Sequence, residues 1–120
     1  FNLKECALVL DEMGIQRTKM IASGGAAKGV TWKQIQADIL EMPVYTTKTE
    51  EEACQGAAIL AAVGCGMYRD IKEACSRIVK INDCPVEPVT EHVKRYREQQ
   101  ALFRELYLKV KDLYPRLKTE

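Results

Sequence analysis

The sequence of 120 residues lacks most of the patterns that mark specialised protein classes. Its five cysteines include no C-x-x-C pair, which argues against a zinc site and against the even-numbered disulfide framework of a small secreted domain. Free thiols in a reducing cytoplasm are expected instead. The 18 Lys and Arg residues balance 17 Asp and Glu residues to a net charge of +1. This balance gives no support for nucleic acid or an anionic membrane as a partner.

Long uninterrupted apolar segments are also missing. The longest stretch with little charge, residues 53–68, is broken by Gln55 and by glycines, and it is too short to span a bilayer. With 47% hydrophobic and 29% charged residues, the composition is that of an ordinary globular protein of one domain at most. Because the chain begins at Phe1, inside a predicted helix and without Met, we expect it to be a fragment of a longer polypeptide.

What the sequence does contain is an alternation of helices and short strands. The apolar spacing predicts a helix over residues 3–13 that ends at Gly14, and buried strands over residues 18–23 and 44–47. Capping boxes predict three further helix starts, at Thr31 with Gln34, Thr49 with Glu52, and Asp70 with Glu73. A loop around Pro85 and Pro88 precedes one long amphipathic helix from Thr90 onward. The order α-β-α-β-α-α-α predicts an α/β fold whose short parallel strands are covered by helices, with a long C-terminal helix.

The same patterns predict which positions are buried. Helical spacing places Trp32, Ile35, Ile39 and Met42 on one stripe. We expect Trp32 to be a core anchor. The helix after Thr49 is apolar nearly all round, so we expect it to be buried, with Gly56 in close backbone contact. A structural hydrogen bond is expected for Asp38, and a solvated position for His92, the only histidine.

A glycine turn at residues 24–29, "GGAAKG", follows the first strand and precedes a helix. Consecutive N–H groups of Gly24, Gly25 and Ala26 can form a concave nest for an anion, and Lys28 can add a positive charge. The turn is not a Walker A loop, because Val30 stands where the lysine is required, and it contains no G-x-G-x-x-G fingerprint. Phosphate binding and a plain strand-to-helix turn both remain open from the turn alone.

The turn and the blocks after it together resemble the FGGY carbohydrate kinases, and most of all the xylulose kinases. Members of that family read G-G-[GA]-x-[KR]-S-x-x-W-x-Q-I-x-A-D, followed by a Pro-Val strand, a G-A-A helix and G-x-Y. The matching residues are Gly24, Gly25, Ala26, Lys28, Trp32, Gln34, Ile35, Ala37, Asp38, Pro43, Val44, Gly56, Ala57, Ala58, Gly66 and Tyr68. The resemblance covers about residues 5–114.

The resemblance implies a fold, a site and a reaction. Residues 1–120 would be the C-terminal portion of the second, nucleotide-binding domain of a sugar kinase, which is a partial actin-like (ribonuclease H-like) ATPase domain. Gly24, Gly25 and Ala26 would lie against the phosphates of ATP, and Gly29 near the adenosine, where the family often has Asn or Ser. The full-length enzyme would transfer the γ-phosphoryl group of ATP to a sugar or polyol hydroxyl, with Mg²⁺ neutralising phosphate charge.

The resemblance also implies what these residues lack. The catalytic Asp of the family would lie upstream of Phe1, and so would most sugar-binding residues, so the chain alone is expected to be inactive. No catalytic or metal-ligating residue is therefore assigned within it. Two alternatives stay open. One is another actin-like ATPase. The other is a non-enzymatic helical module that self-associates through its apolar surface and its terminal helix.

Overall fold

The computed structural model describes residues 1–49 and 51–117, with Ala26 described by its backbone only. Its helices are α1 (Asn2–Glu12), α2 (Val30–Leu40), α3 (Glu52–Gly64), α4 (Ile71–Ile78) and α5 (Thr90–Val110). Its strands are β1 (Met20–Ala22) and β2 (Val44–Thr46). Short 3-10 segments at Gly25–Lys28 and Lys111–Leu117 complete the order. The predicted order of helices and strands is confirmed.

The two strands form a parallel pair, as predicted, with α2 as the crossover. Met20 lies opposite Val44, and Ala22 lies opposite Thr46. The prediction that the proline-rich loop excludes regular structure is wrong at one residue. Val86 forms an antiparallel bridge with Val44, with backbone N–H···O distances of 2.9 and 3.0 Å. Val86 can pair because it keeps the N–H that the neighbouring proline lacks.

Helix α2 lies at the centre of the buried apolar residues. One cluster joins Ala7 of α1 to Leu40 and Met42 at the end of α2. A second cluster joins Ala22 of β1 and Val44 of β2 to a residue of α2, Ala37. The small side chains of Ala22 and Ala37 let the sheet and the helix approach closely.

The predicted capping box of α4 is confirmed. The Asp70 side chain accepts a hydrogen bond from the Glu73 N–H at 2.8 Å, and the Glu73 carboxylate accepts one from the Arg69 N–H at 3.0 Å. At the other end of the fold, α1 stops before Gly14, as predicted, and Gly14 has a φ of +78°. Glycine adopts this left-handed conformation without the penalty that a Cβ imposes.

The predicted capping boxes of α2 and α3, at Thr31 with Gln34 and at Thr49 with Glu52, are wrong. Helix α2 has Gly29 as its N-cap and α3 has Glu51, and within the described residues neither cap makes a side-chain hydrogen bond to its helix. The side chains of Gln34 and Glu52 instead bond to distant parts of the chain. At these two helix starts, Gln34 and Glu52 therefore form hydrogen bonds with residues distant in sequence rather than with the predicted capping residues.

Two predictions of burial are also wrong. Trp32 is 50% exposed, so it is not a core anchor. Helix α3 packs mainly on α4, which buries Ile59 but leaves Leu60 62% exposed. Among the described residues, no atom lies within 4 Å of a Cβ built on Gly56, so the close backbone contact expected there is not observed. No helix in the described part of the chain is both long and apolar enough to cross a membrane.

Candidate functional site

The carboxyl ends of β1 and β2 open into a cavity of about 250 Å³. Ligands of open α/β sheets bind outside this edge, because the loops that follow the strands meet there. The glycine turn leaves β1 at this edge, and residues 47–49 leave β2 beside it. The cavity is lined by Ala22, Gly24, Ala27, Lys28, Lys33, Thr46, Thr47, Lys48, Thr49, Glu52 and Asn82.

The backbone of the glycine turn has the conformation of an anion nest. Gly24 has a φ of +76°, and the next residues, Gly25–Lys28, form a 3-10 turn that a 3.1 Å hydrogen bond from the Ala27 N–H to the Gly24 carbonyl closes. A left-handed residue followed by right-handed ones directs successive N–H groups into one concavity. Among the described residues, no atom lies within 4 Å of a Cβ built on Gly24 or Gly25, so neither glycine is required for space. The positive φ of Gly24 favours glycine at that position, whereas Gly25 has no positive φ.

The first amide of this turn already binds an anionic group of the protein. Gly24 N–H donates to Glu52 Oε1 at 3.2 Å, and the Thr47 hydroxyl lies 3.0 Å from the same oxygen. Hydrogen bonds from the backbone N–H groups of Glu52 itself and of Gly24, then from Thr47, lower the pKa of the Glu52 carboxyl. A phosphate oxygen could take the Gly24 N–H only by replacing this carboxylate oxygen.

Among the described residues that line the cavity, positive charge exceeds negative charge. These residues include Lys28, Lys33 and Lys48, against the one carboxylate of Glu52. Lys48 also lies 3.5 Å from Asp83 in an exposed pair. Clustered lysines beside backbone N–H donors favour an anionic ligand. Sequence reasoning found Lys28 but missed the other two, although Lys48 follows directly on the end of a predicted parallel strand.

The residues predicted to bind ATP differ in their position relative to the cavity. Gly24 lies in the wall of the cavity, whereas the described Gly25 and Gly29 do not line it. The Ala26 backbone lies within the 3-10 turn. Gly29 is the N-cap of α2, with φ −76° and ψ 115°. Their contacts with a nucleotide stay predictions. Over residues 1–49 and 51–117, no group of three or more His, Cys, Asp or Glu side chains is placed to hold a metal ion.

The buried Asp38 forms hydrogen bonds that connect parts of the fold. Its side chain is 2% exposed, and Oδ1 accepts hydrogen bonds from Gln34 Nε2 and from the Val89 N–H, each at 2.8 Å. These bonds confirm the predicted structural role. His92 is exposed as predicted, with 55% of its side chain accessible, yet its Nδ1 also lies 2.9 Å from Asp38 Oδ2. The reason is that Asp38 lies beneath the start of α5, within reach of the first helical turn.

The part of the chain that contains the glycine turn matches the sequence model of a known family. The family described as "FGGY family of carbohydrate kinases, C-terminal domain" matches residues 1–65 through its sequence model. The chain belongs to this family. The match confirms the resemblance stated from the glycine turn and the blocks that follow it.

Curated relatives agree along nearly the whole chain. The xylulose kinase of Bacillus subtilis (strain 168) is 31% identical over 119 residues, which are 99% of this chain and 24% of that protein. The autoinducer-2 kinase of Yersinia pestis (strain Pestoides F) is 31% identical over 101 residues, which are 84% of this chain and 19% of that protein. The chain therefore spans about a quarter or less of the length of these relatives.

Solved structures show that the fold is shared as well. Gluconate kinase from Lactobacillus acidophilus superposes with a TM-score of 0.76 at 20% identity, over 88% of this chain and 21% of that one. Xylulose kinase from Rhodospirillum rubrum superposes with a TM-score of 0.74 at 24% identity, over 94% of this chain and 23% of that one. The arrangement of helices around the parallel strand pair is thus one found within sugar kinases.

Proposed function

We propose that this chain is the nucleotide-binding part of an ATP-dependent carbohydrate kinase, a partial actin-like ATPase domain that is inactive by itself. Membership of the FGGY family supports the enzyme class. The observation that carries the nucleotide site is the glycine turn, which has the backbone of an anion nest at the carboxyl end of two parallel strands. The three lysines around the adjoining cavity add the positive charge that a triphosphate requires.

In the proposed reaction, a hydroxyl oxygen of the sugar bonds to the γ-phosphorus of ATP while the bond to the β,γ-bridging oxygen breaks, so that ADP leaves. The turn amides of Gly25 and Ala26, together with Lys28, hold phosphate oxygens and orient them. Gly29 offers only its backbone near the adenosine. The base that accepts the hydroxyl proton and the sugar pocket belong to the rest of the enzyme.

Mg²⁺ is part of the proposal as a companion of ATP. It supplies charge neutralisation on the phosphate oxygens, which is its general role in phosphoryl transfer. The proposal assigns no metal ligand to this chain, and the described residues hold no group of three or more His, Cys, Asp or Glu side chains placed to bind an ion. The phosphates themselves would carry the ion into the site.

A xylulose-like sugar or polyol is the proposed acceptor. The names of the xylulose kinases among the relatives support it, while the autoinducer-2 kinase shows that related proteins differ in substrate. We also propose a cytoplasmic location, which the five free cysteines support.

Gly25→Asp in the complete protein that carries this segment tests the nucleotide site. Because a Cβ at Gly25 meets no atom within 4 Å and its φ is not positive, the variant is expected to fold. The new carboxylate repels the phosphates, so we expect the dissociation constant of MgATP, measured by calorimetric titration, to rise at least about tenfold.

Gly25→Ala is the matched control, because it adds a Cβ without charge, and it should bind MgATP within about twofold of the wild type. Unchanged affinity in the Asp variant would contradict the assignment of the glycine turn to the phosphates.

A helical module that self-associates through α5 is the second candidate function. It is favoured by the exposed leucines of this helix, Leu102, Leu106 and Leu108, which are between 55% and 65% exposed. The two functions predict different results for the complete wild-type protein. Saturable MgATP binding supports the kinase, and concentration-dependent sedimentation without nucleotide binding supports the module.

A further inference from the structure

The Glu52 carboxylate lies where three elements of the candidate site meet. Glu52 is the first residue of α3, Gly24 lies two residues beyond the end of β1, and Thr47 directly follows β2. Glu52 Oε1 lies 3.2 Å from Gly24 N and 3.0 Å from Thr47 Oγ1. One carboxylate oxygen therefore connects the exits of both parallel strands to the start of a helix.

The Glu52 carboxylate also accepts a hydrogen bond from its own backbone N–H at the first position of α3, so it serves both the helix start and the glycine turn. The N-cap of α3 is Glu51, and the Thr49 hydroxyl, which would complete a local box, accepts a hydrogen bond from Gln55 Nε2 at 3.0 Å instead. The Glu52 side chain reaches to the glycine turn, 28 residues earlier in the chain. Because the hydrogen bond to Gly24 is exposed and Gly24 lies outside both apolar clusters, the packing of the core does not depend on it.

We infer that Glu52 is a positioning residue for nucleotide binding. By accepting the Gly24 N–H, it holds the glycine turn in one orientation at the cavity, so that binding a phosphate need not order the turn first. The inference rests on the proposed function, since it concerns the same turn. The negative charge of Glu52 also repels phosphates, which lowers the affinity for ATP. The test therefore has to separate this repulsion from the effect of the hydrogen bond that fixes the glycine turn.

Three variants of the complete kinase make this separation. Glu52→Ala removes the acceptor, Glu52→Asp keeps the charge but withdraws it by one methylene, and Glu52→Gln keeps an acceptor oxygen at the same reach without charge. We expect the KM for ATP to rise about tenfold in the Ala and Asp variants and less than about threefold in the Gln variant. We expect kcat and the KM for the sugar to stay within about twofold, because the chemistry and the sugar pocket lie elsewhere.

Glu51→Ala is the matched control, since Glu51 is an exposed neighbouring carboxylate at the same helix start and should leave all constants unchanged. Thr47→Val tests whether Thr47 acts through the same carboxylate oxygen. We expect this substitution to raise the KM for ATP less in the Glu52→Ala background than in the wild type. An unchanged KM for ATP in both the Ala and Asp variants overturns the inference. A lower KM for ATP in the Ala and Gln variants also overturns it, because repulsion would then dominate.

The failure of this inference is distinguishable from failure of the proposed function. A wild-type protein without saturable MgATP binding or ATP-dependent sugar phosphorylation contradicts the kinase itself. A wild-type protein with both activities, combined with unaltered Ala and Asp variants, contradicts only the role of Glu52. Thermal unfolding of each variant separates loss of folded protein from altered nucleotide affinity.

Discussion

Asp38 shows how a single buried carboxyl group joins distant parts of this chain. It lies on α2 and accepts hydrogen bonds from Gln34 on the same helix and from the Val89 N–H just before α5, with His92 within hydrogen-bond distance. A buried polar group without partners is costly, but here each oxygen has at least one. Asp38 therefore links α2 to the start of α5 through both of its carboxylate oxygens.

Asp38→Ala should destabilise the protein by about 1–3 kcal/mol, because the part-buried Val89 N–H loses its acceptor and the Gln34 amide loses one of its two acceptors. Asp38→Asn should cost less, since its carbonyl oxygen at the Oδ1 position can still accept both bonds and only the contact with His92 changes. Urea unfolding of the complete protein, followed by circular dichroism, measures both values. Asp83→Asn, at a side chain that is 91% exposed, is the control, and an Asp38→Ala variant as stable as this control would contradict the prediction.

At the scale of the element, the short helix α4 depends on its ends. It has only eight residues, and isolated helices of that length are unstable in water. The reciprocal box satisfies two backbone donors, the Glu73 N–H through Asp70 and the Arg69 N–H through Glu73. The helix also packs on α3, and its Ala74 is fully buried. A local signal and a tertiary contact agree here, which is why the sequence prediction succeeded.

Asp70→Ala should loosen the first turn of α4, because the Glu73 N–H loses its acceptor. We expect amide hydrogen exchange in that turn to become severalfold faster, while exchange in α2 stays unchanged. Asp70→Ser keeps a capping oxygen and should restore the wild-type exchange rate. Equal exchange rates in the Ala and Ser variants would show that the cap does not hold the helix.

At the scale of the whole molecule, the described chain is open. Its radius of gyration is 18.7 Å, whereas a compact domain of 120 residues is expected near 14 Å. Among the described residues, eight apolar side chains are buried, and four of them are alanines. Ion pairs also link the helices: Lys4 of α1 and Arg97 of α5 pair with Glu41 at the C-cap of α2, and Arg104 of α5 pairs with Glu5 of α1.

Acid should weaken this arrangement in a way that depends on Glu41. The Arg97 guanidinium, followed by Lys4, holds the pKa of the Glu41 carboxyl below its usual value. Because the folded state lowers this pKa, the stabilisation is present above the usual value of 4.5 and is lost as the pH falls through the folded value. We expect the melting temperature of Glu41→Gln to fall less between pH 7 and pH 3 than that of the wild type.

Differential scanning calorimetry of the complete protein at both pH values measures this difference. Glu98→Gln, at an exposed residue of α5, is the control and should follow the wild type. An identical loss in Glu41→Gln and the wild type would show that the Glu41 pairs do not link α1, α2 and α5 energetically. Added salt should shrink the difference, since the Arg97 side chain is exposed.

The sequence by itself determined the features that depend on neighbours along the chain. The alternation of helices and strands, the end of α1 at Gly14, the box at Asp70 and the glycine turn all follow from local backbone preferences, and the ordered motifs identified the family. These signals persist because backbone conformation and capping act within a few residues.

Only the tertiary structure decided which partner a side chain contacts when both a local and a distant partner are available. Thr49 with Glu52 has the sequence of a capping box, yet Glu52 bonds to a turn 28 residues away, because folding brings the ends of two parallel strands to the same edge. In the same way, Asp38 meets His92 across 54 residues, and Trp32 lies half exposed despite its helical spacing. Helical periodicity predicts a face, but the elements that pack against that face decide whether it is covered.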